Sequence, residues 1–209
     1  LLLAGWIGTD LIFSHTFLQR SADLSYWLQS NGGKPLEIVG NIFSLFFAFV
    51  QLPVAYMYFA YATTQLKALY YFTLYTLPIV VGVWMKVFYY QGRPYVIDSR
   101  VHGTACDPGM PSGHAIMSVS GYYVFYLILT EDVFPGKPGA RWVCGPLCAL
   151  IGTCIAFSRI SLGEHSFDQV VMGALVALNV LQHYNYKVFI SLLHHFRRRV
   201  FPGAMSLNL

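Results

Sequence analysis

Met110–Pro111–Ser112–Gly113–His114 runs directly into Ala115–Leu129, AIMSVSGYYVFYLIL, and this junction decides the fold. A proline inside a helix loses a hydrogen bond, but at or just before a helix start it is tolerated. Ser112 is a good N-cap type. The pattern predicts an apolar helix over Ser112–Thr130 with His114 in its first turn. Backbone N–H groups without intrahelical partners cluster there, and the helix dipole favours an anion. A histidine at such a place can be an acid catalyst, or simply an interfacial residue beside a cap.

The totals set the surroundings of that helix. The 209 residues are 56% hydrophobic and 11% charged, with a mean hydropathy of +0.53. Soluble chains carry about 25% charged residues, so an integral membrane protein is the class that fits. Thirteen basic and nine acidic residues leave a formal charge of +4. That excess is small, and no basic strip is interleaved with aromatics, so nucleic acid is not expected as a partner. The chain begins Leu-Leu-Leu, as a fragment or processed form would, and no secretory signal pattern is visible. Cys144, Cys148 and Cys154 lie in one apolar run as small hydrophobes, with no His or acid at ligand spacing. No metal site and no cofactor is expected.

The fold class expected is all-α, a polytopic membrane helix bundle with about five spanning helices and an amphipathic N-terminal segment. Residues 1–35 mix apolar and polar groups and read as a helix lying along the interface. A clipped first span over Leu1–Leu18 is the rival reading. Asn31–Gly32–Gly33–Lys34–Pro35 is a break by composition. The bundle is expected over 36–199 and a tail over 200–209. Its spans are Ile38–Leu66, Ala68–Met85, Ser112–Thr130, Trp142–Phe157 and Phe167–Tyr184, the last one able to run on to Phe196. Five spans put the polar stretches 86–94, 111–114 and 158–169 on one face. Lys67, Lys137, Arg141 and the run Arg197–Arg199 fall on the other, which the positive-inside rule makes cytoplasmic. The polar cluster then faces a lumen or the exterior.

That cluster carries the chemistry. Lys86 and Arg93 are seven residues apart, two turns on one helix face. Arg159 sits at the end of the fourth span. Taken singly, each is an ordinary snorkelling cation. Three cations and a helix start on one face, with no obvious run of acids, call for a shared anion, and the planar fork of Arg suits phosphate. His165 opens the fifth span as His114 opens the third. Asp168 at i+3 or Gln169 at i+4 can reach its ring. A neutral imidazole with one nitrogen held by an acceptor presents the other as a nucleophile.

Lys86-x6-Arg93–Pro94, then Pro111–Ser112–Gly113–His114, then Ser158–Arg159-x5-His165, resemble the three ordered signatures of the type 2 phosphatidic acid phosphatase superfamily. The resemblance covers roughly residues 85–185. It implies a helical membrane phosphohydrolase that uses no metal. It implies His165 as the nucleophile that forms a phosphohistidine and His114 as the proton donor to the leaving oxygen. Lys86, Arg93, Ser112, Gly113 and Arg159 would hold the phosphoryl oxygens. That family usually has Asp four residues after the nucleophilic His, and here the position is Gln169, preceded by Asp168. Gln there resembles the glucose-6-phosphatase branch, as do Gln91–Gly92–Arg93–Pro94–Tyr95 and Cys106–Asp107–Pro108–Gly109.

The expected activity is hydrolysis of a phosphate monoester, of a sugar phosphate or a lipid phosphate. The partners expected are that phosphorylated molecule and membrane lipids, with partner subunits left open. The endoplasmic reticulum is one membrane that fits a lumenal site. The alternative is a catalytically weak or silent subunit of a larger membrane complex that keeps the fold. A vanadate-binding peroxidase is a third and more remote reading.

Overall fold

The computed structural model describes residues 2–45, 65–184 and 186–200, and among them there are helices and no strand. Helix α1 spans Leu2–Leu45, α2 Gln65–Tyr89, α3 Pro94–Ile97 and α4 Gly113–Leu127. A π-helical turn, Ile128–Val133, prolongs α4; α5 then spans Pro138–Ser161, α6 Phe167–His183 and α7 Tyr186–Val200.

Among the described residues, two stretches are long and apolar enough to cross a membrane, Gln65–Ile97 and Pro138–Ser161. Two of the about five expected spans thus pass among the described residues, and local features account for the others. The expected span Ile38–Leu66 falls largely outside the described residues. Helix α4 has 15 residues, about 23 Å at 1.5 Å per residue, and approaches the ~30 Å of a hydrocarbon core only with the six residues of the π-helical turn. Helix α6 has 17 residues and stops at Tyr184, whose backbone leaves the helical region (φ −102°, ψ 76°). A separate helix begins at Tyr186, so the fifth span does not run on to Phe196.

The expected break at Asn31–Pro35 is a kink inside α1. Gly33 alone leaves the helical region, with φ 52°, and the helix continues on both sides. Before the kink, α1 docks on α5 and α6. Ser25 donates to the Ile160 carbonyl at 2.9 Å, and the Ser21 hydroxyl accepts from the Phe167 N–H at 3.1 Å. Leu18 and Ala22 are buried in this contact, whereas Leu11, Ile12 and Trp27 point outward.

Helices α2, α4 and α6 form the centre. Tyr71 and Leu74 from α2, Ile116 from α4, and Met172 and Val176 from α6 are fully or almost fully buried. Small residues let such helices approach. A Cβ on Gly173 would lie 2.5 Å from the Ser112 carbonyl oxygen and 3.0 Å from the Ala115 Cβ. Glycine at 173 is therefore what allows α6 to press against the first turn of α4. At the far end, Lys67 on α2 pairs with Asp132 and lies 3.4 Å from Glu131, both in the π-helical turn. Helices α2 and α4 thus run antiparallel, and their other ends bring Lys86 and His114 to the same side.

Candidate active site

Each element delivers its polar group at an end. Lys86 is in the last turn of α2. The chain leaves that helix at Tyr90, whose φ is 42°, and Arg93 becomes the N-cap residue of α3. Ser112 caps α4, its hydroxyl accepting from the Ala115 N–H at 3.5 Å, which places Gly113 and His114 in the first turn. Arg159 is in the last turn of α5, and its carbonyl accepts from the N–H of His165 at 3.1 Å. Ser112 N–H donates to the Gln169 carbonyl at 2.9 Å, tying the start of α4 to that of α6. As a result His114 and His165 both lie within electrostatic range of Arg93, Arg159 and Lys86. The nine residues singled out from the sequence gather at one end of the bundle, and they meet acids there.

Those acids form no run in the sequence, yet the fold sets two of them, Asp107 and Glu164, against the cations. Arg93 is 4% exposed and lies 2.5 Å from Asp107 Oδ1 through Nη2, while its Nε donates to the Asp107 carbonyl at 2.8 Å. Lys86 pairs with the other oxygen of the same carboxylate. Burial alone would raise the Asp107 pKa, but the Lys86 hydrogen bond and the charges of Arg93 and Lys86 outweigh it and hold the carboxyl at about 2. Arg93 Nη1 donates to the Glu164 carbonyl and lies 3.5 Å from the Glu164 carboxylate. That carboxylate also accepts from the Thr104 N–H at 2.9 Å and the Ala105 N–H at 3.2 Å. Asp107 and Glu164 therefore build the walls around Arg93. Sequence reasoning passed over both as roles because a lone acid in a loop has no periodicity.

His165 is 2% exposed. Its Nδ1 is 3.2 Å from Gln169 Oε1, and its Nε2 is 3.3 Å from Arg93 Nη1. Burial pushes its pKa well below 6.5. The charges of Arg93, Arg159 and Lys86 push the same way, against the Gln169 hydrogen bond. The ring is therefore neutral at neutral pH. Of the two neighbours expected to reach it, Gln169 touches the ring. Asp168 lies against Gln91 instead, its Oδ2 3.4 Å from the Gln91 amide nitrogen.

Gln169 is fully buried and uses both ends of its amide. Its nitrogen donates to the Gly92 carbonyl at 2.7 Å and to Gln91 Oε1 at 2.9 Å. Its oxygen accepts from the Ser166 N–H at 3.2 Å, the reciprocal half of a capping box, and faces His165. The pattern Ser166-x-x-Gln169 was the available signal for this cap. Gly109 lies flat on the same amide: a Cβ there would be 2.4 Å from Gln169 Nε2.

Arg159, 8% exposed, donates from Nη1 to Ser44 at 2.7 Å, and its Nε meets no acceptor among the described residues. Arg159 and Glu164 also line a cavity of about 480 Å³, whose other walls include Gln29, Lys34, Glu37 and Asn41 of α1. Among the described residues, no group of three or more His, Cys, Asp or Glu is arranged to hold a metal ion.

Three comparisons bear on this arrangement. The family model described as the PAP2 superfamily matches residues 67–192. Glucose-6-phosphatase catalytic subunit 1 of Felis catus is 30% identical over 129 residues, 49% of this chain. The chain spans 36% of the length of that curated relative. The crystal structure of a transmembrane PAP2 type phosphatidylglycerolphosphate phosphatase from Bacillus subtilis superposes with a TM-score of 0.67. That match covers 95% of this chain and 92% of the other at 18% identity, a likeness of fold. With the matched region holding all three signature stretches and the residues that converge on His165, the chain belongs to the PAP2 superfamily.

Proposed function

We propose that this chain is an integral membrane phosphohydrolase that cleaves a phosphate monoester through a phosphohistidine on His165. The observation that carries the reading is the environment of that ring. An acceptor holds Nδ1 at 3.2 Å while Nε2 faces a buried guanidinium at 3.3 Å. A neutral ring with a proton on Nδ1 keeps its lone pair on Nε2, beside the positive charge that would draw in a phosphoryl group.

The steps follow. Nε2 attacks phosphorus and forms the N–P bond as the bond to the leaving oxygen breaks. His114 gives its proton to that oxygen, and the alcohol departs. His114 then takes a proton from water, whose oxygen attacks phosphorus and returns His165 with inorganic phosphate. Lys86, Arg93 and Arg159, with the Ser112 hydroxyl and the Gly113 N–H, stabilise the charge on the transferring oxygens. Arg159 Nε, buried and without an acceptor among the described residues, supports its share in this role. No step calls on a metal.

The cavity beside Arg159 supports a polar leaving group. Gln29, Lys34, Glu37 and Asn41 offer both donors and acceptors, which suit a hydroxylated alcohol better than an acyl chain. We place residues 1–35 against the membrane interface, 36–199 in the membrane and 200–209 as a tail. The site then opens to a lumen or the exterior, the endoplasmic reticulum being a membrane compatible with this.

Phosphate release by purified protein, without added metal, from a sugar phosphate, a phosphatidic acid and a polyprenyl diphosphate tests the reading. Turnover of the sugar phosphate, lost in His165→Ala, is the expected result. Arg159→Ala is expected to lower kcat by about 100-fold or more, in the range of other transition-state donors; unchanged kinetics there would remove the phosphate pocket. No turnover of any ester, with a stable partner co-purifying, would favour the silent subunit.

A further inference from the structure

We propose that Asp10 and Asp168, a buried carboxyl pair behind the site, are positioning residues that set the ring tautomer of His165 through Gln91 and Gln169. The kinetic consequence rests on His165 being the nucleophile proposed above; the tautomer itself does not.

Asp10 comes from α1 and is 1% exposed; Asp168 comes from α6 and is fully buried. The two carboxyls interact directly. Each also has one oxygen, Oδ1, without a hydrogen bond among the described residues, the Ser166 hydroxyl lying close to the Asp168 carboxyl. Two carboxylates in contact away from water do not both stay ionised, and one proton between them gives both orphan oxygens a partner.

The remaining Asp168 oxygen can only accept, and this begins a directional chain. It faces the Gln91 amide nitrogen at 3.4 Å, which turns the Gln91 oxygen toward Gln169. Gln169 donates to that oxygen at 2.9 Å and gives its other N–H to the Gly92 carbonyl at 2.7 Å. Only its oxygen is left for the His165 ring, 3.2 Å from Nδ1. An acceptor there requires Nδ1–H and leaves the lone pair on Nε2. The Gly92 carbonyl orients Gln169 from one side. The carboxyl pair excludes the flipped Gln91, which would set one NH2 against another.

Nitrogen-15 spectra of histidine-labelled protein in detergent read the tautomer without any substrate, with the His165 signal identified by its loss in His165→Gln. The expected wild-type ring is protonated on Nδ1, with Nε2 bare. Asp168→Asn, able to present a donor, is expected to mix the tautomers and to lower kcat about 10-fold or more at unchanged KM, the small end of what a misplaced proton costs. Asp10→Leu should do the same. Asp10→Asn keeps a donor for Asp168 and should restore most of both readouts. A wild-type ring protonated on Nε2 overturns the proposal, and so does an Asp168→Asn protein with the wild-type tautomer and kcat. If the spectra behave as expected in a protein that turns over no phosphate ester, the relay stands and the phosphohydrolase reading falls. Turnover with the opposite tautomer does the reverse.

Discussion

Gln169 stands where the resemblance leads one to expect a carboxylate, four residues after His165, and its contacts give the reason. An acid at this position would accept from the ring but could not donate to the Gly92 carbonyl and Gln91 Oε1, which lie 2.7 and 2.9 Å away. Leaving buried acceptors facing an acceptor costs about 1–3 kcal/mol apiece. Gln169→Glu is therefore expected to lower thermal stability in a fixed detergent and to reduce kcat; a variant as stable and active as wild type would show the two donors to be idle. The ring beside it gives a second test. The His165 pKa is depressed in the folded chain, so at mildly acidic pH the unfolded chain binds a proton there that the folded chain does not. Its contribution to stability is complete above about pH 6.5 and is lost as pH falls below that value. His165→Asn should flatten the fall in melting temperature between about pH 7 and 5. Asp107 acts in the same direction but lower. Its stabilising ion pairs are complete above its ordinary pKa of 3.8 and lost as pH falls toward about 2.

At the scale of elements, the site depends on how closely α6 approaches α4. Gly173 is the contact point, with the Ser112 carbonyl oxygen 2.5 Å from where a Cβ would be. Backbone does not yield as a flexible side chain would. Gly173→Val is expected to destabilise by roughly 1–3 kcal/mol, as overpacking does, and to separate His114 from His165. It should lower kcat more than KM rises; a fall in stability with full turnover would place the contact outside the mechanism. The apolar runs and the Pro111–Ser112–Gly113 start made α4 legible in the sequence, because cap chemistry and hydropathy are local. The cations Lys86 and Arg159 were legible because each closes an apolar run, and Arg93 because it follows Lys86 by seven residues. What remained hidden was the long-range pairing. Asp107 on Lys86 and Arg93, Glu164 on the 104–105 loop, and Gln91 on Gln169 join residues 14 to 78 positions apart, and no periodicity records such contacts. Of the about five spans expected, two pass on length and hydropathy among the described residues. Hydropathy cannot see that the backbone turns at Tyr184 or that α4 gives way to a π-helical turn at Ile128.

At the scale of the whole molecule, α2 carries a paired lysine at each end. Lys67 is held by Asp132 and Glu131 in the π-helical turn, and Lys86 by Asp107 beside the site. The two lysines are nineteen residues apart in one helix, roughly 28 Å along its axis and close to the ~30 Å of a hydrocarbon core. In the membrane orientation proposed above, the helix is a ruler with an ionic stop at both ends. A bilayer several ångströms thicker draws one stop into hydrocarbon. The stop beside the site also gathers the cations proposed to bind phosphate, so mismatch would be felt as catalysis. Turnover in vesicles of graded acyl length should peak near this thickness and fall on the longer side. Lys67→Leu, which frees the distant stop, should shift that peak toward longer lipids.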